Sequence, residues 1–141
     1  MNILIQLLKI KEKLNVTENF HCIGELPTNE TEYNANVKWI IDHDENNSPI
    51  YGDTQIVTWQ QLQEHSEEAE INFKLDLVRM KRDNLLKETD WWACSDRVMT
   101  EPQKIYRQAL RDITENCNPE LGEFGDLDLT SVNWPTKPQL L

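Results

Sequence analysis

The run "EEAEINFKLDLVRMKRDNLLKE", residues 67–88, constrains the fold most strongly, because its apolar residues recur at helical spacing. Ile71, Leu75, Val78 and Leu85 fall along one face of a helix with 3.6 residues per turn. Acidic residues lead the run, which suits the positive end of a helix dipole. The pattern predicts an amphipathic helix over about 67–88, whose apolar face must be covered by another element.

A second helix is predicted shortly after the first. "TDWWACSDRVM" interrupts the helical pattern, and Thr100 then forms a capping box with Gln103, with Pro102 in the first turn. Tyr106, Leu110 and Ile113 make an apolar stripe, which predicts a helix over about 100–114. Two helices joined by a tight loop predict a helical hairpin.

The N-terminal half predicts a small α/β region. "NILIQLLKIKEKLNV" fits both a helix and an alternating strand, and its good helix formers favour the helix. A mostly polar linker is expected to follow, through "LPTNETEYN". Strand-like residues over about 37–57, separated by the turn formers "DHDENNSP", predict a β-hairpin with a long loop. A capping box of Thr58 and Gln61 predicts a short helix through "WQQLQEH".

The expected fold class is therefore α+β. An acidic N-terminal region, 1–66, carries the β-hairpin, and a C-terminal region, 67–141, carries the helical hairpin and an extended tail, "VNWPTKPQLL". Leu, Ile, Val and Phe total 36 of 141 residues, above the roughly 20% below which chains tend to be disordered. This is a thin supply of aliphatic core, so the five tryptophans are expected to add to it.

Charge and cysteine content restrict the class of partner and the compartment. The net charge is −11, and residues 1–70 hold 4 Lys and Arg against 13 Asp and Glu. Such a surface repels phosphate, so no nucleic-acid partner is expected. No apolar run approaches the roughly 20 residues that span a bilayer, so no membrane association is expected. Three cysteines without a CxxC motif or a signal peptide indicate free thiols in a reducing compartment.

One loop partly matches a calcium-binding pattern. In "DHDENNSPIYGD", residues 42–53, the first, third, fifth and twelfth positions of an EF-hand loop are occupied by Asp42, Asp44, Asn46 and Asp53. However, Asn47 stands where that loop needs glycine, and strand-like residues flank the segment. A solvated hairpin loop is favoured over a metal site.

The sequence carries no motif for catalysis. It contains no glycine-rich phosphate loop, nucleophile elbow or HExxH motif. His21, Cys22 and His43 lack the further ligands that would complete a tetrahedral metal set. A non-enzymatic protein without a cofactor is expected.

The remaining candidates are aromatic: Trp91, Trp92, Tyr106 and Trp134. A lone helical hairpin has little apolar area, so one of the adjacent tryptophans, together with Trp134, is expected to close its open end. Neighbouring residues at a helix end face different ways, so the other tryptophan is expected to stay exposed as a binding hot spot. We predict that Trp91 is the buried one and Trp92 the exposed one.

The C-terminal half resembles the tail assembly chaperone family of tailed bacteriophages. The recurring pattern of that family is matched, in order, by Arg82-Asp83, Leu85-Leu86, Thr89-Asp90-Trp91, Tyr106-Arg107-Gln108-Ala109-Leu110-Arg111-Asp112 and Trp134-Pro135-Thr136-Lys137-Pro138. The resemblance covers about residues 79–138. The doubled tryptophan and "DRVMTEPQ" are similar to versions from phages of cyanobacteria, whereas "ENCNPELGEFGDLDLTSV" is a longer link than the pattern has.

The resemblance implies a non-enzymatic chaperone that binds a phage tail or tail-fibre protein in the host cytoplasm during infection. The alternative is a permanent structural or adaptor component of the phage tail or virion. Under the chaperone reading, the predicted partner-binding residues are Trp92, Trp91, Tyr106, Arg107 and Trp134. The sequence leaves the oligomeric state and the identity of the partner open.

Overall fold

A computed structural model describes residues 1–139 and confirms the α+β class. The α-helices are α1 (Ile3–Lys13), α2 (Glu30–Asn36), α3 (Trp59–Glu88) and α4 (Glu101–Arg111); the strands are β1 (Phe20–Cys22), β2 (Val37–His43) and β3 (Pro49–Tyr51). Short 3-10 turns cover Asp90–Ala93 and Leu129–Ser131. The chain forms two compact units, unit 1 over Met1–Asn72 and unit 2 from Phe73 onward. The last two residues of the predicted 67–141 region lie outside the described residues.

Unit 1 is built on a three-stranded antiparallel sheet of order β1-β2-β3. β2 pairs with β1 through Phe20 opposite Trp39 and with β3 through His43 opposite Pro49. Alternate residues of β2 point to the same face, which places Val37 and Trp39 in the core. The buried residues of this core are Leu7, Ile10, Tyr33, Val37, Trp39, Val57, Leu62 and Ala69.

The predicted β-hairpin exists, but it is shorter than the sequence suggests. Its loop spans only the residues between His43 and Pro49, and Gln55–Val57 lie outside any strand. Side chains, rather than a β-ladder, hold that last segment. Gln55 Oε1 accepts a hydrogen bond from Trp39 Nε1 at 2.8 Å, and the Val57 carbonyl accepts one from the Tyr33 hydroxyl at 2.7 Å.

The expected polar linker was wrong, because it contains β1 and α2. Asn29 caps α2 by accepting a hydrogen bond from the Glu32 N–H at 3.0 Å, and Glu32 in turn accepts from the Thr28 N–H at 2.8 Å. Asn followed three positions later by Glu is a recognised helix-start pattern, so the sequence held a usable indication of α2. β1 is only three residues long and carries no comparable pattern.

The two helices expected at residues 58–65 and 67–88 are a single helix, α3. Thr58 and Gln61 form the predicted capping box, with Thr58 N–H to Gln61 Oε1 at 2.9 Å and Gln61 N–H to Thr58 Oγ1 at 3.2 Å. In unit 1 the buried positions of α3 are Leu62 and Ala69, seven residues apart on one face. Ile71, expected on the buried face, is exposed, because two residues beyond Ala69 the helix has turned by about 200°.

Unit 2 contains the predicted helical hairpin, made by residues 73–88 of α3 and by α4. Thr100 caps α4 with the full capping box, and the helix ends at Arg111 rather than near Thr114. The C-terminal tail packs on the hairpin through Trp134, which contacts two buried clusters. One cluster is Val78, Ile113 and Val132, and the other is Trp92, Tyr106 and Leu110.

The Tyr33 hydroxyl gives a test of unit 1. Tyr33 is fully buried, burial raises the pKa of its hydroxyl, and that hydroxyl is a hydrogen-bond partner of the Val57 carbonyl. Tyr33→Phe should lower the free energy of unfolding by about 1–2 kcal/mol in urea, since a buried carbonyl loses its partner.

Tyr51→Phe is the matched control. The Tyr51 hydroxyl meets His21 Nδ1 at 2.8 Å in an exposed contact, so this change should cost less than about 0.5 kcal/mol. Equal losses in the two variants would show that the Tyr33–Val57 bond does not hold the segment before α3.

Candidate functional site

The first feature of the candidate site is the turn that ends α3. Thr89 follows the helix and is fully buried. Its hydroxyl lies 3.1 Å from the Leu86 carbonyl and 3.3 Å from the Leu85 carbonyl, to which it can donate a hydrogen bond. This bond satisfies carbonyls that the last turn of a helix otherwise leaves unpaired. The 3-10 turn Asp90–Ala93 starts directly afterwards and carries the two tryptophans.

Arg107, a buried residue of α4, ties this turn to the second helix. Its guanidinium donates hydrogen bonds to the Leu86 carbonyl at 2.9 Å, to Thr89 Oγ1 at 2.7 Å and to Asp90 Oδ1 at 2.9 Å. A planar guanidinium can bridge three acceptors in this way, whereas a lysine ammonium cannot match the same geometry. Arg107 therefore fixes where the 3-10 turn, and with it the tryptophan pair, sits on the hairpin.

Trp92 closes the hairpin from inside. It is 1% exposed, and its ring lies 6.0 Å from the ring of Tyr106. Lys137 of the tail lies over the Trp92 ring at 5.9 Å and pairs with Glu88 at 3.6 Å. Burial, and secondarily the charge of Glu88, raises the pKa of the Tyr106 hydroxyl, as expected for a phenol packed in a core.

Trp91 points the other way and is 42% exposed. Its ring meets the edge of Trp92 at a centroid distance of 6.2 Å and an interplanar angle of 72°. The Arg97 guanidinium lies over its ring, 4.4 Å from the centroid. The predicted roles of the two tryptophans were therefore reversed. The physical reason is that the 3-10 turn, anchored by Arg107, directs its third residue inward and its second outward.

The exposed surface continues from Trp91 along the loop before α4. We call the set Trp91, Arg97 and Val98 the Trp91 surface. Val98, which follows Arg97 in the chain, is 91% exposed. Arg97 and Val98 also line a groove of about 350 Å³, whose other residues are Thr100, Pro102, Gln103, Pro138 and Gln139.

The five predicted partner-binding residues differ in their exposure to solvent. Trp92, Tyr106 and Arg107 are buried, and Trp134 is half-buried against the hairpin. Among the five, Trp91 alone is classed as exposed. Their binding role stays a prediction, and for the buried ones it can only be indirect. The sequence reasoning did not single out Arg97 and Val98, although an apolar residue beside arginine in an otherwise polar loop is a visible indication of a contact surface.

The calcium-like loop is a tight turn instead of an open chelating loop. Asp44 Oδ1 accepts hydrogen bonds from the N–H groups of Asn46 at 2.9 Å and Ser48 at 2.8 Å. Asn47, at the glycine position of the calcium pattern, adopts a left-handed backbone with φ of 61°, which asparagine tolerates. Within residues 1–139 no three His, Cys, Asp or Glu side chains cluster as metal ligands. In the same part of the chain, no helix has both the length and the apolar character to cross a membrane.

The inward and outward tryptophans predict losses of stability of different size. Trp92→Ala should lower the free energy of unfolding of unit 2 by about 3–5 kcal/mol, because it empties a large buried volume. Trp92→Phe should cost less, since it keeps part of the packing and removes an indole N–H that has no partner among the described residues.

Trp91→Ala is the matched change and should cost only about 1 kcal/mol, since it removes one edge contact of a half-exposed ring. Urea unfolding followed by circular dichroism would compare the three variants. A larger loss for Trp91→Ala than for Trp92→Ala would contradict the assignment of the buried ring.

Comparison with known proteins bears on the same region. Residues 75–139 match the family model described as phage tail assembly chaperone protein, and this range includes the 3-10 turn, α4 and the Trp-Pro tail. Neither a curated protein nor a solved structure matches the chain. Residues 75–139 are therefore similar to the phage tail assembly chaperone protein family, and this similarity supports a role in tail assembly.

Proposed function

We propose that this protein binds a subunit of the phage tail or tail fibre while the tail is being assembled, and that the Trp91 surface makes the contact. The observation that carries the proposal is the exposure of Trp91 in a held position. Its ring is 42% exposed, yet Trp92 contacts it on one side and Arg97 stacks on it at 4.4 Å.

A held aromatic ring is well suited to binding. A side chain that is already ordered loses little conformational freedom when a partner covers it. Tryptophan and arginine are also the residue types most enriched among binding hot spots. The neighbouring Val98 adds apolar area that a partner would remove from water. The Trp91 surface thus combines a rigid anchor, a cation and an apolar rim.

The groove beside the surface supplies room for a longer contact. It shares Arg97 and Val98 with the Trp91 surface and continues along Thr100, Pro102 and Pro138. Prolines present flat apolar faces and keep the backbone from rearranging. A segment of the partner that covers Trp91 could therefore extend into this groove without a change in the hairpin.

The proposed activity is to protect unassembled tail subunits from aggregation, without catalysing a reaction. Subunits of an oligomer expose apolar surface and unpaired strand edges before they assemble, and such surfaces aggregate. A small protein with a net charge of −11 that covers them would keep the complex soluble, since like-charged complexes repel one another. Release on assembly would follow when the tail subunit buries the same surface against its own neighbours. On this proposal, the protein acts in the infected host cell.

Binding by the Trp91 surface is testable with one pair of variants. Each tail and tail-fibre protein of the same phage would be co-expressed with the full chain, and the dissociation constant of any pair that co-purifies would be measured. Trp91→Ala should weaken binding by about thirtyfold, the equivalent of a hot spot of about 2 kcal/mol.

Phe124→Ala is the matched control, because Phe124 is an aromatic residue of unit 2 with 90% exposure and lies outside the Trp91 surface. Its replacement should leave the dissociation constant unchanged. Equal binding by wild type and Trp91→Ala, or equal weakening by both variants, would contradict the proposed contact.

Quantitative mass spectrometry of purified phage particles tests whether binding is transient. The protein should be abundant in lysates of infected cells and absent from mature particles. A fixed copy number in the particle would instead make it a permanent part of the tail, and the proposed release would be wrong.

A further inference from the structure

We infer that the free edge of β1, with the groove between β1 and α1, is a second docking site, which takes an extended segment of a partner protein with alternate apolar residues and a Lys or Arg at one end. The site lies in unit 1, outside the matched range 75–139. It does not depend on the Trp91 surface, and its test is separate.

The first observation is the direction in which the N–H and carbonyl groups of β1 point. The Asn19 carbonyl accepts a hydrogen bond from the Ile40 N–H at 2.8 Å, and the Ile23 N–H donates one to the Asn36 carbonyl at 2.8 Å. In an antiparallel ladder, hydrogen-bonded pairs alternate with non-bonded pairs. His21 therefore faces β2 with its N–H and carbonyl, whereas those of Phe20 and Cys22 face away from the sheet.

The second observation is that β1, although short, lacks two of the usual protections of an edge strand, proline and charge. Among residues 1–139, no strand lies on the outer side of β1. Natural sheets discourage added strands with proline or charged residues at their edges. The opposite edge strand begins with Pro49, which has no N–H to offer. β1 reads Phe-His-Cys and has neither proline nor a formal charge.

The third observation is an apolar groove beside the same edge, with a volume of about 640 Å³. Leu4 and Leu8 of α1 line it, and Leu8 is 48% exposed. The residues that complete the lining are Asn19, Phe20, His21, Cys22 and Ile40. A strand added to β1 would point alternate side chains toward the helix side of the sheet, where Leu4 and Leu8 offer apolar surface to cover.

The charged residues around the groove indicate which kind of partner segment would bind there. The groove shares Asn19 and Ile40 with a second depression, which Glu18, Asp42 and His43 also line. Two cations also lie nearby: Lys11 Nζ donates a hydrogen bond to Asn19 Oδ1 at 3.2 Å, and Lys38 lies opposite His21 in the sheet.

Residues 1–70 hold 13 acids against 4 Lys and Arg. The surrounding field therefore favours a cationic segment, and its positive end would lie near Glu18 and Asp42. Backbone hydrogen bonds to β1 would align such a segment, and its apolar side chains would pack in the groove. Strand-addition complexes combine these two kinds of contact.

The probe for this site is a synthetic peptide of alternating valine and threonine with lysines at one end, added to the full-length protein. Amide hydrogen exchange, read by NMR, reports each backbone position. At about ten times the dissociation constant, exchange at Phe20 and Cys22 should slow about tenfold. The His21 amide, already bonded within the sheet, should not change and serves as the internal control.

Two altered peptides separate the contribution of backbone hydrogen bonds from that of charge. N-methylation of the valines removes backbone donors and should abolish the protection at Phe20 and Cys22. Replacement of the lysines by glutamates should weaken binding severalfold, more so at low salt. Protection that survives N-methylation, or no protection at Phe20 and Cys22 with any peptide, would overturn the proposal.

Matched variants test the groove. Leu8→Ser should weaken peptide binding severalfold, whereas Ile50→Ser, a similarly exposed residue of β3 at the other edge, should not. Equal effects of the two variants would overturn the role of the groove. Trp91→Ala should leave peptide binding unchanged, so failure of this site and failure of the Trp91 surface are distinguishable.

Discussion

A shortage of aliphatic side chains is the constraint on which the rest of this structure depends. The 33 Leu, Ile and Val residues of the chain serve two compact units, each too small to bury much surface on its own. Tryptophan makes up the difference. Trp39 is fully enclosed in unit 1 and Trp92 in unit 2, and each brings more apolar area than any aliphatic residue can.

The same shortage explains the form of unit 2. Two short helical segments cannot cover one another completely, and the Trp-Pro tail supplies the missing layer by packing Trp134 against both buried clusters. The buried Arg107 then holds the turn between the helices in a single position. Because that turn is fixed, Trp91 is presented to solvent in a defined orientation, and the proposed binding surface follows from the way in which the core is closed.

Sequence patterns predicted the elements that depend on local chemistry. The capping boxes at Thr58 and Thr100 are both present, since they involve residues only three positions apart. β1 was not predicted, because a three-residue strand is defined by its partner β2 and not by its own residues. The strand expected at Gln55–Val57 is absent for a related reason. Side chains from elsewhere in the chain, Trp39 and Tyr33, hold that segment in place of a β-ladder.

The sequence by itself determined the α+β class, the helical hairpin, the need for buried tryptophan and the resemblance to tail assembly chaperones, because periodicity, capping and motif order are written along the chain. Only the tertiary structure decided which of two adjacent tryptophans faces inward and which edge of the sheet is open. Trp91 and Trp92 have identical side chains at adjacent positions, and the sequence pattern alone did not separate them correctly. Their difference comes from Arg107, which is distant in sequence and hydrogen-bonds to the turn in the folded hairpin.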